Sequence, residues 1–431
     1  CAQRALSVVL SVALVLAFVP KTAFGALEDP IAEETDDIRI YESGNIDIKT
    51  AEGFMEVFVN RFTAQLNFKD KIIKLIDNIN LSGHCSMENP LTIGSYNGNS
   101  TDRVFSGTLD GDGHTISALC TSKGLFACIY TGGTVKNLTM DNLTSPEGNS
   151  DRIGGICRDI YGGTISDCVV NGTITGGNYT GGICGYGSTI SNCVVNGTIT
   201  GGNSTGGISG YDGTISNCIV NGTINGGDNV GGICGDGQPL INSCANFADI
   251  SGNLNVGGIG GCFGPRIDNC YNVGTITGAN AVGGIFGGGA AQTATPEINN
   301  CYNSGAVNVT GYDTSGTIQD YGASLAGSSN ALDVNRSVGL SPYVRGVSDS
   351  SYNTINRVIA IWRAQRDIED PEANYARSDM VLHKKPPKDG VEISVDNVAD
   401  GEDLLLNPGW QQIFIDLGWD ETVWNIPVTD A

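Results

Sequence analysis

The chain has 431 residues, 62 of them Gly, and a formal net charge of −23 from 23 Lys and Arg against 46 Asp and Glu. Gly at about twice its usual share argues against a helix-rich fold, and a hydrophobic content of 40% argues against disorder of the whole chain. Because the negative charge repels nucleic acid and anionic membrane surfaces, a nucleic-acid-binding function is excluded.

Residues 1–25 have the pattern of a signal peptide. Arg4 precedes an apolar run from Ala5 to Pro20, and Ala23 and Gly25 place small residues where a signal peptidase reads the chain. The alternative is an anchoring transmembrane helix, but the run is shorter than the roughly 20 residues that such a helix needs. We expect cleavage after Gly25, an acidic linker over 26–50, a secreted or cell-surface location and no membrane-spanning segment in the mature chain.

Residues 51–150 are expected to form an N-terminal cap and the first coils of a repeat domain. Apolar residues from Ala51 to Leu66 fall at helical spacing, which predicts an amphipathic capping helix; they are Phe54, Val57, Phe58, Phe62 and Leu66. Strands are predicted over Lys71–Leu81 and Val104–Ser117. The Gly-rich turn between Phe105 and Ile116 is assigned to the first coil.

A repeat over residues 151–310 is the strongest pattern in the chain. The triplet Gly-Gly-Ile recurs at spacings of 27, 25, 25, 26 and 26 residues, beginning at Gly154, Gly181, Gly206, Gly231, Gly257 and Gly283. A cysteine series runs in phase with it, at Cys168, Cys193, Cys218, Cys244, Cys270 and Cys301. Each period contains three short β segments separated by Gly or Asn turns.

The period predicts an all-β fold, a parallel β-helix (β-solenoid) of roughly 25-residue coils. Propeller blades need about 40 residues. Leu240 and Leu254 are the only leucines between positions 152 and 300, which excludes a leucine-rich repeat. Asn171, Asn196 and Asn221, each directly before Gly, are expected at corners that need positive φ.

Residues 311–431 are expected to form C-terminal coils and an irregular closure. Ile355, Val358, Ile359 and Trp362 suggest a short helix. The closure is assigned to Met380–Ala431, with Trp410, Phe414, Trp419 and Trp424. The segment His383–Lys388 is interpreted as an exposed loop.

The repeat Thr-Ile-Ser-Asn-Cys-Val-Val-Asn-Gly-Thr-Ile, followed by Thr-Gly-Gly-Ile-Cys-Gly, resembles the GLUG repeat of bacterial exported and surface proteins. The family also includes the N-terminal parts of zinc metallopeptidases that cleave immunoglobulin A, in which the repeats are not the catalytic portion. Such a peptidase needs two His four residues apart with Glu between them. The histidines of this chain are His84, His114 and His383, each isolated. The resemblance therefore identifies no catalytic residues in this chain.

Five aspartates of the early coils are candidates for an acid/base or calcium cluster, since parallel β-helices also include pectin-cleaving enzymes. They are Asp110, Asp112, Asp151, Asp159 and Asp167. Glycosidases need two carboxylates about 5 to 10 Å apart, and a lyase would need a nearby base, yet Arg266 is the only Lys or Arg between positions 162 and 294. The turn-and-surface interpretation is favoured, so we nominate no catalytic, cofactor-binding or metal-binding residue.

The chain has 14 cysteines, or 13 once Cys1 leaves with the signal peptide. Cysteines stacked on adjacent coils have parallel Cβ vectors, which disfavours disulfides, so the six-membered series is expected to form an interior column of thiols. Cys157, Cys184 and Cys234 form a second series, broken by Ser209. Cys120 and Cys128 are the pair most suspected of a disulfide. Zinc is weakly supported, because no His lies among the repeats.

Two surface features bear on ligands. Asn-x-Ser/Thr triplets, including those at Asn137, Asn171, Asn178, Asn196 and Asn203, follow from the Asn-Gly-Thr turns and are interpreted as structural. Tyr161, Tyr179, Tyr186 and Tyr211 fall near turns of successive coils, where an aromatic row could stack on sugars; single exposed aromatics without a role are the alternative.

These patterns lead to a functional hypothesis and two alternatives. The leading hypothesis is a non-catalytic exported β-solenoid that acts as a surface adhesin or rigid spacer, with host glycans or an extracellular matrix protein as partner and with no cofactor. The alternatives are the N-terminal non-catalytic part of a larger secreted metallopeptidase and a polysaccharide-degrading β-helix enzyme.

Overall fold

A computed structural model describes residues 29–62, 67–96, 103–146, 150–187, 189–289, 295–314, 317–329, 332–346, 353–356, 358–361, 374–377, 380–383 and 402–404. The predicted signal peptide and the four aromatic residues assigned to the C-terminal closure lie outside these residues, as does Trp362. The described chain winds into a parallel β-solenoid of about nine turns, which confirms the predicted fold class.

The coils contribute short strands to four sheets, S1 to S4, that run along the solenoid; in the described residues S3 begins at Phe126 and S4 at Thr180. S1 has 13 strands, and its first strand pairs with its second in antiparallel fashion at the N-terminal end. Its strands are Ile31–Glu34, Ile38–Tyr41, Ile46–Ile48, Ile72–Leu75, Thr108–Asp110, Thr134–Lys136, Thr164–Ser166, Thr189–Ser191, Thr214–Ser216, Leu240–Asn242, Arg266–Asp268, Glu297–Asn299 and Asp333–Asn335.

S2 has the most strands of the four sheets among the described residues. Its strands are Ile79–Asn80, Thr115–Ser117, Thr139–Thr144, Val169–Thr175, Val194–Thr200, Ile219–Asn225, Ala245–Asn246, Asp249–Ser251, Tyr271–Asn272, Ile276–Gly278, Tyr302–Asn303, Val307–Val309, Val338–Gly339, Tyr343–Arg345, Tyr375–Arg377, Val381–His383 and Glu402–Leu404.

S3 and S4 complete the coil. S3 consists of Phe126–Tyr130, Cys157–Tyr161, Cys184–Tyr186, Ser209–Tyr211, Cys234–Asp236, Gly260–Cys262, Phe286–Gly289, Ala326–Ser329 and Ile359–Ile361. S4 consists of Thr180–Gly181, Thr205–Gly206, Val230–Gly231, Leu254–Gly257, Asn280–Gly283, Tyr312–Thr314, Thr317–Ala323 and Asn353–Asn356.

Successive coils stack residue upon residue. In S2, all seven residues of Val169–Thr175 pair with Val194–Thr200, which in turn pair with Ile219–Asn225. This register places apolar residues of neighbouring coils in columns inside the solenoid, where they bury each other's side chains. One such column contains Ile165, Ile190, Ile215, Ile241, Ile267 and Ile298, and the six-membered cysteine series forms another.

A cluster of phenylalanines covers the N-terminal end of this core. A short helix, α1 (Ala51–Met55), begins at Thr50, whose side chain accepts a hydrogen bond from the Gly53 N–H, and continues as a π-helical turn over Glu56–Arg61. The predicted capping helix is therefore present but shorter than expected. Its Phe58 ring lies 5.6 Å from the Phe126 ring, on the third sheet, and both are buried.

The first predicted strands are each divided by a corner. Lys71–Leu81 contains the strands Ile72–Leu75 and Ile79–Asn80, and Val104–Ser117 contains Thr108–Asp110 and Thr115–Ser117. The turn between the latter two has Asp112 and Gly113 at positive φ, as its Asp-Gly composition favours.

Two other expectations are wrong. The helix predicted near Ile355 is instead the strands Asn353–Asn356 and Ile359–Ile361, separated by the buried Val358. The Leu325 N–H bonds to the Val358 carbonyl, so Val358 continues the interior column of the Gly-Gly-Ile isoleucines without the Gly-Gly signature. His383 ends a strand and is not in a loop; residues 384–388 lie outside the described part.

The corner asparagines were also misplaced. Asn171, Asn196 and Asn221 lie within strands, and positive φ belongs to the Gly that follows each of them. The corners with left-handed backbone come instead directly before the interior cysteines, at Asp167, Asn192, Asn217, Ser243, Asn269 and Asn300. Asn tolerates this conformation because its short side chain can form local hydrogen bonds.

Candidate functional site

The carboxylates of the first coils are held in separate structural contacts. Asp110 accepts hydrogen bonds from Asn137 Nδ2 (3.0 Å) and pairs with Lys136 Nζ (2.9 Å), while Asp112 pairs with Lys74 Nζ (2.8 Å). Partial burial opposes ionisation of Asp110, but the hydrogen bonds from Lys136 and Asn137 outweigh it and lower the pKa of that carboxyl. A carboxylate held ionised by a lysine is poorly suited to act as a general acid.

The other three aspartates do not join them. Asp151 accepts the Asn178 backbone N–H (2.8 Å), and Asp167 accepts Asn192 Nδ2 (2.9 Å), each bond joining one coil to the next. Asp159 lies on S3, whereas Asp110 lies on S1. Among the described residues, no group of three or more His, Cys, Asp or Glu is arranged to hold a metal ion.

The thiols form the interior columns that the repeat predicts. Thirteen cysteines, from Cys85 to Cys301, are free, and Cys120 and Cys128 are among them, so the suspected disulfide is wrong. The Cys120 sulfur lies 3.5 Å from that of Met87, whereas Cys128 sits in an S3 strand. Burial raises the pKa of Cys184 and of Cys128 to about 12, which leaves both thiols protonated and unreactive at neutral pH.

A row of tyrosines runs along S3; we call Tyr96, Tyr161, Tyr186 and Tyr211 the tyrosine ladder. Neighbouring rings lie with their centroids 5.2 Å apart for Tyr96–Tyr161, 5.7 Å for Tyr161–Tyr186 and 5.2 Å for Tyr186–Tyr211. The last two pairs are stacked, with interplanar angles of 29° and 15°. Ring faces inside the ladder are therefore covered by other rings.

This geometry corrects the idea of a sugar-stacking platform. A pyranose ring packs on the face of an aromatic ring, and the faces of Tyr186 are turned toward Tyr161 and Tyr211. The ladder presents ring edges, which carry the positive end of the aromatic quadrupole, together with phenolic hydroxyls. Such a surface is better suited to a negatively charged group than to the face of a neutral sugar.

Arg152 extends the ladder on one side. Its guanidinium carbon lies 5.4 Å from the centroid of the Tyr186 ring and 5.9 Å from that of Tyr179, within the range of a cation–π contact. Arg152 and Tyr179 occupy equivalent positions of successive coils, both with φ of +60°. The Tyr179 ring contacts the Tyr211 ring edge to face at 5.6 Å, as Arg152 contacts Tyr186 one coil earlier.

Asp159 lies buried beside this arginine. Its side chain is 0% exposed, and its oxygens lie 3.6 Å from Arg152 Nη1 and 3.4 Å from Arg158 Nε. Neither oxygen accepts a well-formed hydrogen bond from a described residue, and neither does Arg158 Nε donate one. Burial raises the pKa of Asp159, although Arg158 and Arg152 act in the opposite direction.

Electrostatics distinguish this face from the rest of the chain. Arg152, Arg158 and Lys123 all favour the ionised form of Asp159, in a protein with a net charge of −23. One of these cations has an additional structural role: Arg158 Nη1 donates to the Tyr96 carbonyl (2.9 Å). Beyond Tyr211 the column turns acidic, because Asp236 pairs with Tyr211 in register.

Sequence reasoning named Asp159 and the tyrosines but missed Arg152 and Arg158. The first repeat spacing, 27 residues instead of 25, is the signal that could have found them. Gly154 begins Gly-Gly-Ile-Cys-Arg-Asp-Ile-Tyr, whereas Gly181 begins Gly-Gly-Ile-Cys-Gly-Tyr. The two additional residues lengthen the S3 strand of this coil to Cys157–Tyr161 and bring in Arg158 and Asp159.

No model of a known protein family matches the chain, so membership of the GLUG family remains a prediction. A stretch of 95 residues, 21% of this chain, is 37% identical to halomucin from Haloquadratum walsbyi (strain DSM 16790 / HBSQ001), and the match spans 1% of the length of that protein. A solved structure from Bacteroides ovatus, of a protein proposed to be an immunoglobulin A1 protease, is 18% identical over 88% of both chains, with a TM-score of 0.34. Within the described residues, no helix has the length and hydropathy of a membrane span.

Proposed function

We propose that this chain is an extracellular, non-catalytic β-solenoid module that acts as an adhesin and holds its binding face on a rigid rod. The observation that carries the proposal is the continuous register of the S2 strands Val169–Thr175, Val194–Thr200 and Ile219–Asn225, in which equivalent residues lie directly above one another. A solenoid of this kind has no hinge between coils. Such a rod is suited to presenting a surface at a distance from its attachment point.

Side-chain bonds between coils support the rigidity of the rod. Asn196 Nδ2 donates to Asn171 Oδ1, and Asn221 Nδ2 donates to Asn196 Oδ1, both at 2.8 Å. The proposed domains follow the sequence, except that residues 31–48 form the first three strands of S1 and so belong to the N-terminal cap and not to a linker. They are a signal peptide over 1–25, the cap with the first coils up to residue 150, the repeats over 151–310 and a closure over 311–431. The local similarity to halomucin supports a repeat module that also occurs within much longer chains.

Two alternatives remain as outcomes of experiment. A larger secreted metallopeptidase would require a zinc motif encoded beyond residue 431, which sequencing of the downstream DNA reveals. A polysaccharide-degrading enzyme would require paired carboxylates, and the lysine contacts of Asp110 and Asp112 do not favour that role.

The adhesin proposal is tested with residues 26–431 coupled to inert beads. We expect the beads to adhere to surfaces coated with mucin or extracellular matrix protein, and beads with an unrelated acidic protein to remain unbound. Release of reducing sugars from polysaccharide substrates by the same preparation would instead support the enzyme. Failure to adhere to any such surface would overturn the adhesin and leave only the spacer role.

A further inference from the structure

The arginine beside the tyrosine ladder provides a specific hypothesis about the ligand, which rests on the proposed adhesive function. We propose that Arg152, with the hydroxyl groups and ring edges of Tyr161 and Tyr186, binds the carboxylate of a terminal acidic sugar. The candidate site lies on the coil with two additional residues, whose S3 strand, Cys157–Tyr161, is longer than the Cys184–Tyr186 strand of the next coil.

The guanidinium is the primary recognition group. The Arg152 side chain is 35% exposed, so a ligand can reach it from solvent, and its planar set of N–H donors matches a carboxylate. Its guanidinium carbon lies 5.9 Å from the Tyr179 ring centroid and 5.4 Å from that of Tyr186, and these contacts restrict its orientation. An arginine oriented in this way loses less conformational entropy when it binds a ligand.

Asp159 marks the position as unusual. A buried carboxylate without a well-formed hydrogen bond is rare in folded proteins, and here it faces Arg152 and Arg158 at 3.6 and 3.4 Å. The ion pairs with Asp159 keep the two arginines in place. Arg152 nevertheless forms no close bidentate contact with that carboxylate. A ligand carboxylate arriving from solvent can form the shorter contact that Asp159 does not.

The charge of the chain favours a ligand with a single anionic group over a polyanion. The cations Arg158, Arg152 and Lys123 all favour the ionised form of Asp159, while the whole chain carries −23. Repulsion from that charge is screened beyond about 8 Å at physiological salt, so one carboxylate held against Arg152 is attracted, whereas a long polyanion meets the acidic remainder of the surface. Asp236, which follows Tyr211 in register on the next coil, limits the site at its other edge.

The tyrosines supply the second part of the recognition. Tyr161, Tyr186 and Tyr211 are half-buried, and their stacking covers ring faces. Edges and phenolic O–H groups donate to carboxylate and sugar oxygens. Tyrosine and arginine together are also the side chains that contribute most to recognition surfaces.

The test is a titration of residues 26–431 with 3′-sialyllactose, compared with lactose, which is the same sugar without the carboxylate-bearing residue. We expect binding of sialyllactose and not of lactose. Arg152→Gln should weaken binding about tenfold or more, the effect of losing a charge-assisted hydrogen bond. Asp159→Asn should tighten binding, because it removes the competing carboxylate.

Arg266→Gln is the matched control. Arg266 is an exposed arginine that also pairs with two carboxylates, Asp268 and Glu297, but it lies on S1 away from the ladder; its loss should leave binding unchanged. Tyr186→Phe keeps the stack and removes one hydroxyl, so it should weaken binding by less than Arg152→Gln. Unchanged far-ultraviolet circular dichroism shows that each variant is folded.

Three results would overturn the inference: equal binding of lactose and sialyllactose, equal loss in Arg152→Gln and Arg266→Gln, or tighter binding of lactose 3′-sulfate than of sialyllactose. Bead adhesion distinguishes this failure from that of the proposed function. Adhesion that persists in Arg152→Gln would reject the carboxylate site and leave the adhesin standing, whereas absence of both adhesion and sialyllactose binding would reject both.

Discussion

Asn246 Nδ2 lies 2.7 Å from Asn272 Oδ1 on the next coil, and both side chains are fully buried inside the solenoid. Asn272 donates in the same way to Asn303 Oδ1 at 2.7 Å. Each of the three amides also donates to the carbonyl two residues ahead. This asparagine ladder replaces a column of valines that ends at Val220, which pairs in register with Asn246.

The asparagine ladder accounts for a change in the shape of the coils. Where valine occupies the position, the S2 strand runs unbroken for seven residues, as in Val194–Thr200. Where asparagine occupies it, the side chain turns the backbone after itself and the strand divides, as into Tyr271–Asn272 and Ile276–Gly278. The divided form of the coil therefore begins where asparagine replaces valine, at Asn246.

We expect Asn272→Ala to destabilise the protein by about 2–4 kcal/mol, because it removes two buried hydrogen bonds to neighbouring asparagines and leaves their partners unpaired. Urea unfolding followed by circular dichroism measures the change. Asn308→Ala, at a half-buried position of the same sheet, is the control and should change the free energy of unfolding by less than about 0.5 kcal/mol. Equal effects of the two variants would contradict the role of the ladder.

Close stacking of coils makes the Gly-Gly pairs intolerant of a side chain. A Cβ at Gly232 would lie 1.9 Å from the Gly258 carbonyl oxygen, whereas a Cβ at Gly83 meets no atom within 4 Å. Gly232→Ala should therefore prevent stable folding, while Gly83→Ala should cost only the about 1 kcal/mol of its left-handed backbone. Soluble yield and thermal unfolding compare the two. A well-folded Gly232→Ala protein would show that the coils are not packed at this spacing.

The interior thiols predict protection from alkylation. Native protein at pH 8 should react with iodoacetamide slowly and at few positions, of which Cys85 and Cys262 are the most accessible. Unfolded protein should react at every cysteine. Mass spectrometry of labelled peptides gives the pattern, and rapid labelling of Cys193 or Cys218 in the native state would contradict the buried columns.

The same thiols predict a decline of stability in alkali. Burial raises the pKa of Cys184 and Cys128 to about 12 in the folded chain, so between pH 9 and 12 the folded state binds more protons than the unfolded state. The contribution of these thiols to the free energy of unfolding is fully present below about pH 9. It falls as the pH rises, by about 1 kcal/mol per pH unit for each thiol. Urea midpoints measured from pH 7 to 10.5 test this, and a midpoint that rises with pH would contradict it.

Asp110 and Asp112 should be dispensable for binding. Because both pair with lysines at the surface, we expect the double change Asp110→Asn with Asp112→Asn to alter the free energy of unfolding by less than about 1 kcal/mol. Bead adhesion should be unchanged. Loss of a polysaccharide-cleaving activity in this variant, with its fold intact, would instead support the enzyme.

Much of the architecture follows from sequence because the coils repeat. The spacing of Gly154, Gly181 and Gly206 is sufficient to predict both the solenoid and its interior columns. Period alone could not place Asn171 within a strand, because the Asn-Gly pair fits a corner and a strand with a Gly kink equally well. Nor could the period identify Val358 as a member of the interior column, since the coil that contains it lacks Gly-Gly and its apolar residues have a helix-like spacing.

The candidate site was less accessible to sequence reasoning, because its members come from different positions of two coils. Arg152 meets Tyr186 only through the register that places residue 152 against Gly185. The orientation of the tyrosine rings, which decides between stacking on sugars and binding through ring edges, depends on side-chain packing. An irregular repeat spacing is the sequence feature that most directly indicates such a position.

The most direct test of the adhesin proposal is adhesion of beads carrying residues 26–431 to a mucin-coated surface before and after enzymatic removal of the mucin glycans. If the chain is a glycan-binding adhesin, we expect strong adhesion to intact mucin, which falls to the level of control beads once the glycans are removed. Adhesion that survives complete deglycosylation, or its absence from intact mucin, would contradict a glycan-binding adhesin.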